Sequence, residues 1–529
     1  MEDKNFAVKL FDLLSVIIFY VVFWLITIFI GHLPPHPAAP IIFLKQAVFP
    51  YPLWYQYGFL ASLSAASLMI IFNPFRSQTG DYGGSHFASE KEIKKFGLRA
   101  KDGVILGIKN NQYIRTNEPL STLIYAPPGT GKTAGVIIPS LLSCRNSAII
   151  HDPKEELYEK TAAYRSKFSK VIKFSPGDFG SSRWNPLSKK ELPQDWADIE
   201  TTISRIAHSF FIPAKKNEDD MWVREARSLF LFWALYLIHK NGETSFPDIL
   251  SASLDLKDEA PDPQSLIALA LSEAELPQRL TLEGNSLISK ADREFSGVFG
   301  TYKSYMNIFL DTRVSLNLSK SDFYLKELRQ EKTSIYLTVK NADQTRLKPI
   351  LSLFFEIAAL TALDHEPTPN EQSITLFIDE FVRLGRMKEV LEMPAIGRSY
   401  KLNALFVCQS ISQVTDIYGK EGADKLKNTC AYHIVFTQNE ANIAKDISDS
   451  IGKKTRLRKS YSGNWSKLLK NINESYEGVP LLLPQQIMSL PSGKNLLLVQ
   501  NHFETPILAK TALWFKDETQ AKHIKIGYN

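Results

Sequence analysis

The sequence predicts an α/β fold: a core of buried parallel strands, interrupted by an all-helical insertion and preceded by two transmembrane helices. Three observations predict it. Two long uncharged runs stand near the N-terminus. A short apolar run, a glycine loop and a helical pattern follow one another from Ser121. Between Leu187 and about Lys320 amphipathic helical periodicity replaces strand character, which resumes at Ser334–Val339.

The chain has 529 residues, more than one compact domain usually holds, so two or three domains are expected. Its 44% hydrophobic residues exclude a disordered chain. The net charge of +6 is too mild to imply nucleic acid by itself, and its distribution says more. Residues 191–320 carry 20 acidic and 13 basic side chains, a balance of −7, which leaves the rest clearly basic. Cys144, Cys408 and Cys430 lie far apart in apolar surroundings. They fit neither a disulfide framework nor a zinc site, and are expected to be buried structural thiols.

The first uncharged run, LLSVIIFYVVFWLITIFI at Leu13–Ile30, extends to a span of about residues 10–31, long enough for a bilayer core of about 30 Å. It is too long for an ordinary signal peptide, and no small-residue cleavage site follows. The second span covers 53–72. Trp54, Tyr55 and Tyr57 at its start suit the lipid–water interface, and its Ala/Ser-rich middle suits close helix packing. The loop between the spans holds one cation, Lys45, whereas Arg76, Lys91, Lys94, Lys95, Arg99 and Lys101 follow the second. The positive-inside rule therefore puts both termini in the cytoplasm.

Ser121–Tyr125 reads as a strand and leads into Ala126-Pro127-Pro128-Gly129-Thr130-Gly131-Lys132-Thr133. A helical run bent near Pro139 follows. Strand, glycine loop, Gly-Lys-Thr and helix make the context of a phosphate-binding loop for ATP. Pro128, Gly129, Thr130 and Gly131 form the cradle, where the glycines let backbone N–H groups turn towards phosphates. Lys132 is expected to reach the β/γ-phosphates, and Thr133 to ligate Mg2+. A second buried strand, SITLFIDE at Ser373–Glu380, ends in two carboxylates. Asp379 is the expected magnesium partner and Glu380 the group that orients and deprotonates the attacking water. A third strand, Asn403–Cys408, delivers Gln409, a candidate sensor of the γ-phosphate.

Further motifs stand in order along the chain: Gly84-Ser85-His86-Phe87-Ala88, Asp152-Pro153-Lys154-Glu155-Glu156, Trp184-Asn185-Pro186-Leu187, Gly397-Arg398-Ser399-Tyr400 and Gln409-Ser410-x-x-Gln413. With the two spans and the nucleotide motifs, they resemble the type IV secretion coupling proteins of the TraG/TraD class, over almost the whole chain. The resemblance implies a RecA-like motor with an inserted all-α domain, assembled as a hexameric ring in the bacterial inner membrane. It implies domains at 1–75 (anchor), 76–186 with 321–529 (motor) and 187–320 (insertion). The implied partners are the secretion channel, relaxase–DNA complexes or protein effectors, and adaptor proteins. Arg398 resembles the arginine that reaches the neighbouring subunit's nucleotide site, with Arg383 and Arg386 as rivals. Two features depart from the pattern: Glu155 stands where the class has glycine, and Val479–Gln486 lacks its usual Arg and acidic residue.

A basic stretch, Lys453, Lys454, Arg456, Arg458, Lys459, Lys467 and Lys470, is read either as a loop tracking a nucleic-acid backbone or as a solvated loop. The functional expectation is an inner-membrane ATPase that delivers cargo to a type IV secretion channel. An FtsK-like double-stranded DNA pump is an alternative, usually with more spans and a C-terminal DNA-reading module. A non-hydrolysing membrane receptor is another, opposed by the set Lys132, Thr133, Asp379 and Glu380.

Overall fold

The computed structural model describes residues 82–213, 220–254, 262–273, 275–462 and 471–526, with Leu14, Ile17, Ile18, Val21, Val22, Trp24 and Leu25. It divides into two compact units, Met1–Gly84 with Lys453–Val479, and Ser85–Gly452 with Pro480–Asn529.

Thirteen strands occur among the described residues. They are β1 (Val104–Lys109), β2 (Gln112–Thr116), β3 (Thr122–Tyr125), β4 (Ser147–Asp152), β5 (Lys170–Phe174), β6 (Thr333–Thr338), β7 (Ile374–Ile378), β8 (Leu402–Cys408), β9 (Tyr432–Val435), β10 (Lys453–Ser462), β11 (Asn471–Pro480), β12 (Lys494–Val499) and β13 (Ile507–Lys510). All but β10 and β11 join one sheet in the order β2-β1-β13-β12-β9-β3-β8-β7-β4-β6-β5. From β9 to β5 every neighbouring pair is parallel. β3, β4, β6, β7, β8 and β9 are buried at every position, which is why they read as continuous apolar runs rather than alternating ones. The strands on the other side of β9 pair antiparallel, an extension that the sequence reading did not anticipate.

Between β5 and β6 the chain is helical, with the long helices Trp196–Phe210, Met221–Asn241, Gln278–Ile288 and Asp292–Met306, and no strand among the described residues. Aspartates start several of these helices. Asp195, Asp220, Asp262 and Asp311 each accept hydrogen bonds from the first turn's N–H groups. Met221–Asn241 is buried from Leu229 to Tyr236 without interruption, as the central helix of a helical layer must be. The motor is thus α/β with a helical insert.

The Trp-Asn-Pro-Leu segment joins the two layers. Trp184 is fully buried and meets Phe354 edge-on at 4.6 Å. Asn185 Nδ2 donates to Thr244 O at 2.8 Å, and Asn317 Nδ2 donates to carbonyls of Ser175, Pro176 and Asp178. Cys144, Cys408 and Cys430 are buried free thiols.

In the other unit, β10 and β11 form a two-stranded ribbon where the sequence reading had a loop. The proposed spans, 10–31 and 53–72, lie largely outside the described residues. Among those residues no helix is long and apolar enough to cross a membrane. Leu14, Ile17, Ile18, Val21, Val22 and Leu25 are helical and expose their side chains.

Candidate nucleotide site

β3 carries the glycine loop at its C-terminal end. Gly129 and Gly131 have φ +78° and +86°, a region L side chains avoid, so both positions need glycine. Thr130 Oγ1 donates to Pro127 O at 2.8 Å and tightens the turn. Ala126 is fully buried and its N–H donates to Cys408 O at 2.9 Å. A small residue is therefore sufficient there.

The helix after the loop begins with a wide π-helical turn, Thr133–Ile137, before the α-helix Ile138–Ser143. Pro139 explains the irregularity that was read as a bend. It lacks an N–H and its ring would clash with a carbonyl four residues back, and a wide turn relieves both. Gly135 lies against the strand end beyond β13: a Cβ there would stand 2.1 Å from Thr511 Cγ2.

β8 separates β3 from β7 in the sheet, and the tips of all three converge. Lys132 Nζ stands 3.2 Å from Asp379 Oδ1, and Thr133 Oγ1 donates to Asp379 Oδ2 at 3.2 Å. The two halves of the expected phosphate and magnesium site, 246 residues apart in sequence, are thereby brought together. Glu380 follows with φ +57°, a left-handed backbone that turns its side chain off the strand direction. Its Oε2 lies 2.7 Å from Arg383 Nε, while Arg383 Nη1 donates to Gln344 Oε1 at 3.0 Å. Asp379 Oδ1 and Glu380 Oε2 are both buried and neither accepts a hydrogen bond, since the facing cations lie close but off-angle. Two such oxygens beside a threonine hydroxyl are a hard-oxygen donor set that suits hydrated Mg2+ and a positioned water. The residues present therefore fit a magnesium nucleotide.

Gln409 lies one residue beyond the end of β8, beside the start of the loop, and its N–H donates to Gln413 Oε1 at 3.4 Å. Arg398 is placed elsewhere. It precedes β8, at the opposite end of the strand from Gln409, so that roughly 20 Å of strand lies between them. It is 72% exposed at the side chain, with Glu118 3.6 Å away. Of its rivals, Arg383 sits in the chain's own site, and Arg386 donates to Ile417 O at 3.0 Å.

Several neighbours of the site were missed in the sequence. The buried His151 bonds through Nδ1 to the carbonyl of Asp379, and burial lowers its affinity for a proton. Asp152 accepts from Tyr158 N at 2.7 Å, and burial raises its carboxyl to about 6. Both end β4, and Asp152 opens the Asp-Pro-Lys motif already singled out, which was the available signal. The segment after Glu380 is clamped from two sides. Tyr418 stacks on Phe381, donates to Gly385 O at 2.8 Å and accepts from Met387 N at 3.0 Å. The buried Glu356 accepts from Glu389 N at 3.1 Å and contacts Ser209 Oγ of the insertion at 3.5 Å. Glu155 has φ +60°, which explains why glycine suits that place.

Comparison with known proteins follows the same geometry. Residues 86–526 match the family described as Type IV secretory system Conjugative DNA transfer. The conjugal transfer protein TraG of Escherichia coli is 24% identical over 486 residues, covering 82% of this chain and 74% of that one. Protein VirD4 of Agrobacterium fabrum is 28% identical over 415 residues, and there the match covers 77% of this chain and 60% of VirD4. Among solved structures, the bacterial conjugative coupling protein TrwBdeltaN70 superposes with a TM-score of 0.62 at 18% identity, covering 81% of this chain and 93% of that one. TrwB in complex with ADP and Mg2+ superposes with a TM-score of 0.61 at 16% identity, covering 81% and 94%.

Proposed function

The chain belongs to the type IV secretory system conjugative DNA transfer family, and from that premise we propose that it is a coupling ATPase. It recruits relaxase–DNA complexes or protein effectors and delivers them to a type IV secretion channel. The observation that carries this reading is the meeting of Lys132 and Thr133 with Asp379 at the tips of β3 and β7, on either side of β8.

ATP and Mg2+, when bound, supply the phosphoanhydride to be cleaved and the metal charge that offsets its oxygens. Gly129–Gly131 present backbone N–H groups to the phosphates. With a nucleotide bound, Lys132 would turn from Asp379 to the phosphates, and Thr133 and Asp379 would hold Mg2+. Glu380 orients the attacking water and takes its proton, once its carboxylate is released from Arg383. Gln409 stands beside the loop, where a strand-tip amide can register the state of the γ-phosphate. Arg398 acts on a neighbouring subunit. Its exposure and its distance from the chain's own site support that role, and a hexameric ring supplies the neighbour.

We assign 76–186 with 321–529 to the motor, 187–320 to the insertion that meets cargo and adaptor proteins, and 1–75 to the anchor. The anchor spans the inner membrane twice, with both termini cytoplasmic. The exposed apolar side chains of Leu14, Ile17, Ile18, Val21, Val22 and Leu25 support a lipid-facing helix.

The test is Lys132→Ala in the full chain. The variant stays in the membrane fraction but loses both ATP turnover and cargo transfer. Normal turnover or normal transfer would sink the motor reading, and crosslinking of transported cargo identifies what is carried.

A further inference from the structure

The ribbon β10–β11 presents a row of exposed cations on β10. Among the described side chains of β10, Lys453, Lys454, Arg456, Leu457 and Arg458 are exposed and Thr455 is half-buried. Side chains alternate along a strand, so Lys454, Arg456 and Arg458 share one face. β10 contains no acidic residue, and of these three cations Arg458 lies 3.8 Å from Glu477 of β11. A two-stranded ribbon is marginal in water by itself and calls for a partner.

One partner is visible. Thr455 donates from both its N–H and its hydroxyl to Gly83 O at 3.0 Å, and Gly84 bridges Lys454 antiparallel. Gly83 and Gly478 permit this approach: a Cβ at Gly83 would stand 2.0 Å from Lys453 O, and one at Gly478 2.8 Å from Tyr82 O. The ribbon is thus knitted to Tyr82–Gly84. That segment begins ten residues after Phe72, the end of the second span. Ten residues reach at most about 35 Å.

We propose that the basic face of this ribbon docks on anionic lipid headgroups of the cytoplasmic leaflet. This rests on the two-span reading. Positive charge beside a span is what an anionic leaflet recruits, and each lysine or arginine near it is worth about fivefold in binding. Attraction fades within about 8 Å in physiological salt, so the ribbon must lie against the headgroups to gain it. Nucleic acid would be attracted by the same charge. The bonds to Tyr82–Gly84 favour lipid, because they tether the ribbon beside the membrane.

The test uses the full chain in nanodiscs of phosphatidylcholine alone or mixed with phosphatidylglycerol. Leu457→Cys carries a donor dye, and labelling is selective because Cys144, Cys408 and Cys430 are buried. The headgroups carry the acceptor. Energy transfer is expected to rise in the anionic discs and to fall in high salt. It is also expected to be lost when Lys453, Lys454, Arg456 and Arg458 are all changed to glutamine, with ATP turnover unchanged. Equal transfer in both discs overturns the proposal. So does a signal that ignores lipid but responds to a single-stranded oligonucleotide through the same four cations, which would make the ribbon a nucleic-acid element. Failure of the chain to enter discs at all removes the anchor reading, and this proposal with it.

Discussion

Lys132 Nζ lies 3.2 Å from Asp379 Oδ1, so the lysine meant for phosphate is neutralised by the carboxylate meant for magnesium. Each charge is mostly buried, and each is the other's counter-ion until a nucleotide arrives. Removing one leaves the other uncompensated. Lys132→Met is therefore expected to lower the stability of the chain as well as its nucleotide affinity, by up to about 3–5 kcal/mol if Asp379 stays ionised. Lys132→Met with Asp379→Asn recovers much of that stability but no ATP turnover. Unfolding midpoints of the two single variants and the double variant form a cycle that reads the coupling. A cycle with no coupling contradicts the pairing.

Glu155 holds a left-handed backbone, φ +60°, and pairs with Lys173 at 2.9 Å. The backbone costs a non-glycine residue about 1–2 kcal/mol, whereas a half-buried surface pair returns about 0–1 kcal/mol. Glycine brings its own entropic cost of about 0.5–1 kcal/mol. Glu155→Gly is expected to be neutral or to stabilise by up to about 1 kcal/mol. Glu155→Val, which is β-branched, is expected to destabilise clearly. Denaturant midpoints of the two variants check the order.

Burial raises Glu356 and Glu191 to about 7, and Asp152 to about 6. Their unfolded values are the ordinary ones, near 4.5 for glutamate and 3.8 for aspartate. Between the unfolded and folded values the folded chain binds more protons than the unfolded one. Stability from these groups is therefore full below the unfolded values and is lost as pH rises towards 7. Glu356→Gln removes its share of that slope. Thermal midpoints of the wild type and the variant should differ in slope between pH 4.5 and 7 and run parallel above it. Equal slopes would mean that Glu356 is not raised.

Arg398 stands at the end of β8 opposite Gln409, too far away to serve its own chain's phosphates. Arg398→Ala is expected to bind ATP normally and to hydrolyse it about 10³-fold or more slowly. Mixed with Glu380→Gln, it should regain activity, because some interfaces then join an intact site to an intact arginine. No recovery in demonstrably mixed rings excludes the trans role. Its pair with Glu118 is exposed on both sides, so Glu118→Gln should change little.

The nucleotide motifs were legible because their chemistry is local: two glycines at positive φ, a lysine, a threonine, and a buried strand ending in Asp379 and Glu380. The helical insertion was legible through periodicity. β10 was not. A strand with charges on both faces shows no apolar alternation, and its partner, Gly83, stands some hundreds of residues away. The clamp on the segment after Glu380 was hidden for the same reason, since nothing near Tyr418 or Glu356 in sequence hints at Met387 or Glu389. The wide turn at Thr133–Ile137 was half legible: Pro139 announced an irregularity but not its form.

The close approach of Gly135 to Thr511 has a consequence for biosynthesis. The phosphate loop leaves the ribosome early, yet Thr511 at its back and Leu513, 3.4 Å from where a Cβ on Gly131 would stand, are made hundreds of residues later. At about 5–20 residues per second, that interval is on the order of tens of seconds. A nascent chain therefore cannot complete the packing behind its phosphate loop until Leu513 has been made.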